Sequence, residues 1–272
     1  MNDEIVQSRK NFDELGDNYP CASGVTIEKQ LIKNIDCYWF KKIGNKNNSK
    51  IAIYLHGGCF VFGSLHSHQS LVSHLTKELD IPMLFIEYSL APEKPYPNAI
   101  NDIFNVYKQL QNQYRKSNFI LIGDSAGAWL SVALISKLNN SALKLPKYNI
   151  MISPWIDLTC SAKSITENSY IDPILNKNRL LELAPLFMGN NDVSKVDLTE
   201  ISYEGFPPTF LLVGSREILL DDSKLLFNKI SKVQKRTKLS IYENQTHVWL
   251  LDSIDSVHSQ EAIKEMKTFI ID

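Results

Sequence analysis

The segment 119–127 is the feature that most restricts the fold of this chain. It reads FILIGDSAG: an apolar run of strand length, then two glycines that enclose Ser125, then a stretch of helix-forming residues. A strand that delivers a serine to a tight turn, with a helix leaving at once, is the arrangement of a nucleophile elbow. The pattern predicts Ser125 as a nucleophile, and the alternative is a glycine-rich strand-to-helix turn in an unrelated α/β protein.

Composition limits the classes of protein to which the chain can belong. Its 272 residues, 44% of them apolar, are sufficient for one large α/β domain. The net charge is −1 and the charges are scattered, so nucleic acid is not expected as a partner. No window has the roughly 18 apolar residues of a membrane span, and the first residues lack the apolar core of a signal peptide. We therefore expect no association with a membrane.

The four cysteines are far apart in the sequence. Cys21, Cys37, Cys59 and Cys160 form no CxxC pair and have no metal-type spacing. They are expected to be reduced thiols in a cytoplasmic protein, and we expect neither a metal nor a cofactor.

Apolar runs of strand length alternate with helical patterns along most of the chain. Strands are predicted at 28–32, 36–40, 51–55, 83–88, 119–122, 149–152, 209–213 and 239–242. Helices are predicted at 68–79, 99–114, 126–138, 219–233 and 261–271. The first two strands could form a hairpin through Lys33, Asn34 and Ile35. The alternation predicts a mostly parallel central sheet with helices on both faces.

The chain is expected to form a single domain, 1–272. The section 161–205 interrupts the alternation, since it holds Pro173, Pro185 and only a short helical pattern at 178–187. It is predicted to be a cap insertion over the strand ends. The strand 239–242 could lie at a sheet edge and pair with its copy, which makes a homodimer possible.

A nucleophilic serine needs a base and a group that orients the base. In this fold class the chain order is nucleophile, acid, histidine. Only His247 and His258 follow Ser125, and His247 is favoured because it lies in a loop just past a predicted strand. The alternative for His247 is a loop histidine that caps a neighbouring helix.

The carboxylate residue that orients the histidine is expected just after the end of the strand 209–213. Glu217 is the first carboxylate after that strand and is favoured, with Asp221 as the main alternative. Asp221 and Asp222 lie a turn further on, where both are interpreted more readily as solvated helix residues. The acid would accept the imidazole Nδ1–H and stabilise the imidazolium formed during attack.

Donors for an oxyanion are expected from the turn after the strand 51–55. That strand runs directly into the sequence HGGCF, in which glycines let backbone N–H groups converge. With the amide of Ala126, the amides of Gly58 and Cys59 would form a three-donor oxyanion hole. The residues beside these groups that are expected to support the site are His56, Gly57 and Asp124.

Several aromatic residues fall near predicted strand ends and are candidates for a substrate pocket. They are Phe60, Phe62, Trp129, Trp155 and Trp249. Each by itself is more often a core residue, but together they suggest a pocket for a small or medium apolar acyl group.

Four motifs occur in order over nearly the whole chain. They are HGGCF, the run YSLAPE followed by YP, GDSAG, and THVW. Their combination resembles the hormone-sensitive-lipase-like esterases of the α/β-hydrolase superfamily. The resemblance implies an α/β-hydrolase fold and a carboxylester hydrolase with Ser125, Glu217 and His247 as a triad.

The sequence departs from that family at several places. Cys59 stands where the family has a third glycine, and the oxyanion hole is expected to survive if Cys59 holds a negative φ. Glu217 stands where many members have aspartate. Only about 55 residues precede His56, so the N-terminal cap (about 1–25) should be thin, with a single helix at 4–15.

The expected reaction is hydrolysis of carboxylic esters through an acyl-enzyme, with a small-molecule ester as substrate. A thin cap favours acetyl to hexanoyl esters over long-chain triglycerides. Two alternatives remain open from the sequence. One is an amide hydrolase of a small metabolite, a deacetylase or deformylase with the same triad, and the other is a non-catalytic small-molecule-binding member of the fold.

Overall fold

The computed structural model describes residues 3–271, which are organised around one eight-stranded sheet. The strands are β1 (Val25–Ile32), β2 (Ile35–Lys42), β3 (Lys50–Leu55), β4 (Met83–Ile86), β5 (Asn118–Asp124), β6 (Tyr148–Ile152), β7 (Thr209–Gly214) and β8 (Thr237–Tyr242). Their spatial order is β1-β2-β4-β3-β5-β6-β7-β8. The pairs β1–β2 and β2–β4 are antiparallel and all other neighbours are parallel. The predicted mostly parallel sheet is confirmed.

Helices cover both faces of the sheet. They are α1 (Asp3–Asp13), α2 (Leu65–Leu79), α3 (Asn98–Gln113), α4 (Ala126–Asn139), α5 (Ser164–Glu167), α6 (Lys177–Met188), α7 (Leu220–Val233) and α8 (Val257–Ile271). One core cluster joins the sheet to α3, α4 and α7, and a second joins it to α2 and α8. Along β3, Ile51 and Ile53 enter the first cluster while Ala52 and Tyr54 enter the second, as the two-residue period of a strand requires.

Some predicted boundaries shift for local reasons. The β1–β2 turn consists only of Lys33 and Asn34, both with positive φ, so Ile35 already pairs with Ile32 inside the ladder. Helix α2 begins at Leu65, three residues earlier than predicted, because Ser64 provides a capping box at its N-terminus.

Two parts of the chain lie outside the alternating sheet pattern. At the N-terminus, α1 is followed by a 3-10 turn, Glu14–Asp17, close to the predicted helix at 4–15. The section 161–205 contains α5, α6 and two 3-10 turns, of which only α6 was expected. Residues 1, 2 and 272 of the predicted domain lie outside the described residues.

Arg9 fastens α1 to the sheet edge where the strands β3 and β4 end. Its guanidinium donates to the carbonyl oxygens of Val61 and Ala91, each at 2.8 Å, and pairs with Glu93 at 2.7 Å. The bidentate contact with Glu93 fixes the orientation as well as the position of the side chain. Helix α1 is thereby held beside the turn that follows β3.

Across residues 3–271, no helix has both the length and the apolar composition needed to cross a bilayer.

Candidate active site

Ser125 occupies the turn between β5, whose last residue is Asp124, and α4, whose first residue is Ala126. Its φ of 48° and ψ of −117° are a conformation that costs a non-glycine residue on the order of 1–3 kcal/mol and needs support from its surroundings. Helix α4 packs so closely on β3 that a Cβ atom on Gly127 would lie 1.9 Å from the carbonyl oxygen of Leu55. The glycine is therefore required by close packing, and the sharp turn holds Ser125 at the carboxyl edge of the sheet.

His247 and Glu217 form a buried pair at the same edge. The imidazole Nδ1 lies 2.9 Å from Glu217 Oε2, and the two side chains are 8% and 0% exposed. A carboxylate can only accept, so Nδ1 carries the proton and Nε2 is left as an acceptor. The second oxygen of Glu217 accepts from Ser153 Oγ at 2.7 Å and from the Gly214 N–H at 2.6 Å. Glu217 is therefore held on both oxygens in the orientation that fixes the tautomer of His247.

The charges around this pair shift its titration. Burial acts to lower the pKa of His247, but the hydrogen bond to Glu217 and the charge of that carboxylate outweigh burial and raise the pKa above its ordinary value. The carboxylates of Asp172 and Asp124 act in the same direction. Burial raises the pKa of Glu217, and the hydrogen bonds from His247 and Ser153 limit that rise. Compared with an exposed histidine, the site thus stabilises the imidazolium that forms when the neutral His247 accepts a proton at Nε2.

Ser125 and His247 line the same cavity, which we call the serine cavity. Its volume is about 100 Å³ and its lining consists of Phe12, Leu15, Gly58, Cys59, Asp124, Ser125, Ile174, Leu175, His247, Val248, Leu251 and Asp252. Among the described residues no hydrogen bond joins Ser125 Oγ to the imidazole. Hydrogen bonds between a nucleophile and its base are often long in free enzymes and shorten when substrate binds.

The other candidates for acid and base lie elsewhere. His258 is on the surface, where Nδ1 is 3.4 Å from a carboxylate oxygen of Glu261. Asp221 pairs with Lys224 at 3.0 Å. The expectation that Asp222 is solvated is wrong, because its buried carboxylate accepts backbone N–H bonds from the loop after β6. Burial raises the pKa of Asp222 to about 7.

The turn after β3 presents two backbone N–H groups beside Ser125. Within the described part of the chain, the amides of Gly58 and Cys59 donate no hydrogen bond. The turn is closed instead by the Gly58 carbonyl oxygen, which accepts from the Val61 and Phe62 amides. Ala126 opens α4, so its N–H has no intrahelical acceptor. Three donors therefore remain for a bound group.

Cys59 does not hold the negative φ on which the expected oxyanion hole was made to depend, since its φ is +55°. Gly58 has a φ of +106°, and a Cβ atom there would lie 2.5 Å from the Phe62 carbonyl oxygen, so only glycine fits. Phe60 follows with a φ of +63°, so three consecutive residues with positive φ turn the chain sharply after β3. Cys59 still lines the serine cavity together with Gly58 and Ser125, so its backbone remains at the site although its side chain is not that of glycine.

Replacing Cys59 with glycine should leave catalysis nearly intact. Glycine adopts a positive φ without the cost of about 1–2 kcal/mol that other residues incur, and it keeps the amide N–H. We expect kcat/KM for p-nitrophenyl butyrate to stay within about threefold of the wild-type value, because backbone donors act independently of the side chain. A fall of more than about tenfold would indicate that the thiol itself contributes.

The residues expected to support the site join the turn after β3 to the turn that carries Ser125. Asp124 Oδ1 accepts from the Gly57 N–H at 3.0 Å and from the Tyr54 hydroxyl at 2.9 Å, while Oδ2 lies 3.5 Å from His68 Nε2. Burial alone would raise the pKa of Asp124, but the charge and hydrogen bond of His68 and the Tyr54 hydroxyl lower it. His56 donates from Nδ1 to the Gly57 carbonyl oxygen at 2.7 Å, and burial lowers its pKa to about 3.

The aromatic residues predicted for a pocket are in the core. Phe60, Trp129 and Trp155 are fully buried, and the Phe60 ring stacks on Phe187 with 3.8 Å between centroids. Trp249 is buried on the opposite face of the sheet. None of these residues lines the serine cavity, because they fill the space between the sheet and the surrounding helices.

A second cavity of about 400 Å³ adjoins the serine cavity, and we call it the side cavity. Its lining consists of Ser8, Asn11, Phe12, Leu15, Cys59, Phe62, Ile174, Leu175, Asn176, Arg179, Leu180 and Leu183. The residues common to both cavities are Phe12, Leu15, Cys59, Ile174 and Leu175. The side cavity is thus a largely apolar space between α1 and α6 that shares part of its lining with the serine cavity. Phe62 is the one member of the aromatic set that lines it.

The sequence interpretation missed two functional candidates. Ser153 donates to Glu217 and accepts the Val248 N–H at 3.1 Å, so it joins the acid to the loop of His247. A polar residue directly after a predicted strand was the available signal for Ser153. Asp172 lies in the insertion, where no pattern in the sequence marked it.

The chain is similar to known proteins over most of its length. The family model described as alpha/beta hydrolase fold matches residues 52–251. An esterase of Acinetobacter venetianus is 34% identical over 206 residues, covering 74% of this chain and 67% of the relative. An acetyl-hydrolase of Streptomyces hygroscopicus is 32% identical over 212 residues, covering 75% and 69%. A solved structure of an esterase from the bacterial hormone-sensitive lipase family has a TM-score of 0.94 at 28% identity, covering 98% of this chain and 90% of that one.

Proposed function

We propose that the chain is a serine carboxylesterase. The premise is that it belongs to the α/β-hydrolase fold family and, within that family, to the hormone-sensitive-lipase-like esterases. The observation that carries the proposal is the buried Glu217–His247 pair, whose free imidazole nitrogen shares a cavity with Ser125. The unpaired amides beside Ser125 support it further. Relatives named esterase and acetyl-hydrolase are consistent with ester substrates.

The reaction follows from the roles that the geometry permits. Ser125 Oγ attacks the ester carbonyl while His247 Nε2 accepts the hydroxyl proton, and Glu217 stabilises the imidazolium. The oxyanion accepts from the amides of Gly58, Cys59 and Ala126. Collapse of the intermediate breaks the bond to the alcohol, which takes the proton from His247 and leaves. Water then attacks the acyl-enzyme with His247 again as base, which releases the acid and restores Ser125.

The side cavity is the proposed binding site for the acyl chain of the substrate. It is lined mainly by aliphatic and aromatic side chains, so it suits an apolar chain better than a charged group. Each methylene buried there contributes up to about 0.8 kcal/mol, or roughly fourfold in kcat/KM, until the space is filled. We propose acetyl to hexanoyl esters as substrates, because the described segment before β1, residues 3–24, contributes only α1 and one 3-10 turn to the cover of the site.

A chain-length series of p-nitrophenyl esters tests the function and the substrate together. We expect the highest kcat/KM at or below six carbons, and a maximum beyond about ten carbons would contradict the proposal.

Ile174, 52% exposed, lines both cavities, so Ile174→Trp should narrow the passage between them and lower kcat/KM for hexanoate by about tenfold relative to acetate. Ile171→Trp is the matched control, since Ile171 is 45% exposed and lines neither cavity.

The alternatives predict different results in the same experiment. A purified protein that hydrolyses no short ester but binds them would be a non-catalytic member of the fold. A higher kcat/KM for formyl or acetyl amides than for the matching esters would identify an amide hydrolase. We expect the ester to be the better substrate, because an alcohol is an easier leaving group than an amine.

Two further properties are proposed from other parts of the fold. A reducing, cytoplasmic location is supported by the four cysteines, all of which are free thiols. A homodimer is supported by β8, which lies at one edge of the sheet and exposes Ile241.

A further inference from the structure

Asp172 binds two separate segments of the chain with one carboxylate. It lies in the insertion between β6 and β7 and is only 9% exposed. Its Oδ1 accepts from the N–H groups of Ile174 and Leu175, at 2.9 and 3.0 Å. Its Oδ2 accepts from the N–H of Ile218 at 2.8 Å. Both oxygens are therefore used, each by a different segment.

The two segments are the two sides of the site. Ile174 and Leu175 line both the serine cavity and the side cavity. Ile218 directly follows Glu217 in the turn after β7. Asp172 is thus the direct link between a wall of the cavities and the turn that carries the acid.

Neighbouring hydrogen bonds join the same segments but do not replace this link. The side-chain amide of Asn168 donates to the Glu217 carbonyl oxygen at 2.7 Å, and Ser164 Oγ donates to the Ile218 carbonyl oxygen at 2.6 Å. Arg216 Nε also donates to the Ile171 carbonyl oxygen at 2.9 Å, and together these bonds hold the turn against residues 164–171 of the insertion. Among the side chains that the structure describes, only the carboxylate of Asp172 holds the backbone N–H groups of the cavity wall to the turn.

We propose that Asp172 is a positioning residue. Its hydrogen bonds fix the cavity wall of Ile174 and Leu175 relative to the turn that carries Glu217, so that the Glu217–His247 pair lies at the serine cavity. The inference rests on the proposed function of Ser125, Glu217 and His247. It adds a residue of the insertion that none of the motifs includes.

The pH dependence of kcat/KM provides a readout that would not change if Asp172 had a purely structural role. The carboxylates whose charges act on His247 are those of Glu217, Asp172 and Asp124, and the charge of His247 acts in turn on Asp252, which also lines the serine cavity. A general base must be neutral, so the acid limb of kcat/KM follows the pKa of free His247, which is raised above its ordinary value. Removing the charge of Asp172 should therefore move that limb to lower pH.

Two substitutions separate geometry from charge. In Asp172→Asn the amide has a single oxygen, so its NH₂ group must face the donors on one side and that link is lost. Asp172→Glu keeps the charge but lengthens the side chain by one methylene. Asp197→Asn is the control, because Asp197 also accepts a backbone N–H in the insertion, from Thr199, but lines neither cavity.

The experiment measures kcat/KM for p-nitrophenyl butyrate between about pH 5 and 9, with folding checked by circular dichroism. For Asp172→Asn we expect at least about a tenfold fall in kcat/KM and an acid limb at lower pH. For Asp172→Glu we expect a comparable fall with the limb unmoved, and for Asp197→Asn wild-type behaviour. A folded Asp172→Asn with the wild-type rate and limb would overturn the proposal, even if its Tm were lower.

The design also covers failure at other points. If Asp172→Asn does not fold, Asp172→Glu decides: a lower kcat/KM supports the proposal and the wild-type value overturns it. Labelling of the wild type by a fluorophosphonate, lost in Ser125→Ala, reports on the proposed function separately. If the wild type is labelled and Asp172→Asn has wild-type kinetics, the proposed role of Asp172 is overturned while the proposed function stands.

Discussion

Replacing Ser125 with alanine should lower kcat for ester hydrolysis by at least about 10⁴-fold. The Ser125 hydroxyl is the proposed nucleophile: it shares the serine cavity with His247, and the amides of Gly58, Cys59 and Ala126 nearby are unpaired among the described residues. KM should change much less, because the apolar lining that binds the acyl chain is untouched. The residual rate should be what the oxyanion donors and binding alone provide.

Ser131→Ala is the matched control for this substitution. Ser131 lies in α4, the helix that begins after Ser125, is also buried, and donates to the Ala128 carbonyl oxygen at 2.8 Å. Its loss should cost about 1 kcal/mol of stability with little change in kcat. A Ser125→Ala variant that retained more than about a tenth of the wild-type kcat would exclude Ser125 as the nucleophile.

Glu217→Gln should lower kcat by about 10⁴-fold while the fold is retained. The single side-chain oxygen of the new glutamine would accept from the Ser153 hydroxyl and the Gly214 N–H, which both donate to the present Oε1. The amide nitrogen would then face Nδ1 of His247, which would have to accept. The proton would move to Nε2, so the imidazole could no longer take the proton of Ser125.

Asp221→Asn is the control here, since Asp221 was the main alternative for the acid. Its carboxylate pairs with Lys224 and accepts from the Ser164 N–H, away from His247. We expect kcat within about threefold of the wild-type value. If Asp221→Asn instead caused the larger loss and Glu217→Gln the smaller, the assignment of the acid would have to be reversed.

Patterns local in sequence predicted much of the fold and the principal residues. The apolar runs and helical periods predicted every strand of the sheet, and the motif GDSAG gave the turn at Ser125. The family model and the esterase structures confirm the resemblance and the α/β-hydrolase fold. Chain order after Ser125 then left few choices for acid and base, and Glu217 with His247 are the pair that the structure brings into contact.

Contacts between distant segments could not be predicted in the same way. Whether Trp129 or Trp155 faces a pocket depends on packing against α6 and the sheet, which no local pattern contains. The burial of Asp222 depends on the loop after β6 passing over the start of α7. The left-handed backbone at Cys59 follows from closure of the turn after β3, not from the preference of cysteine.

Peptide mapping by mass spectrometry after reaction with a fluorophosphonate tests the central claim most directly. The reagent phosphonylates a serine only where a base and an oxyanion hole activate it, so it reports the nucleophile without knowledge of the natural ester. We expect one adduct, on the peptide that carries Ser125, and no adduct in Ser125→Ala. An adduct on another residue, or labelling that persists in Ser125→Ala, would contradict the claim.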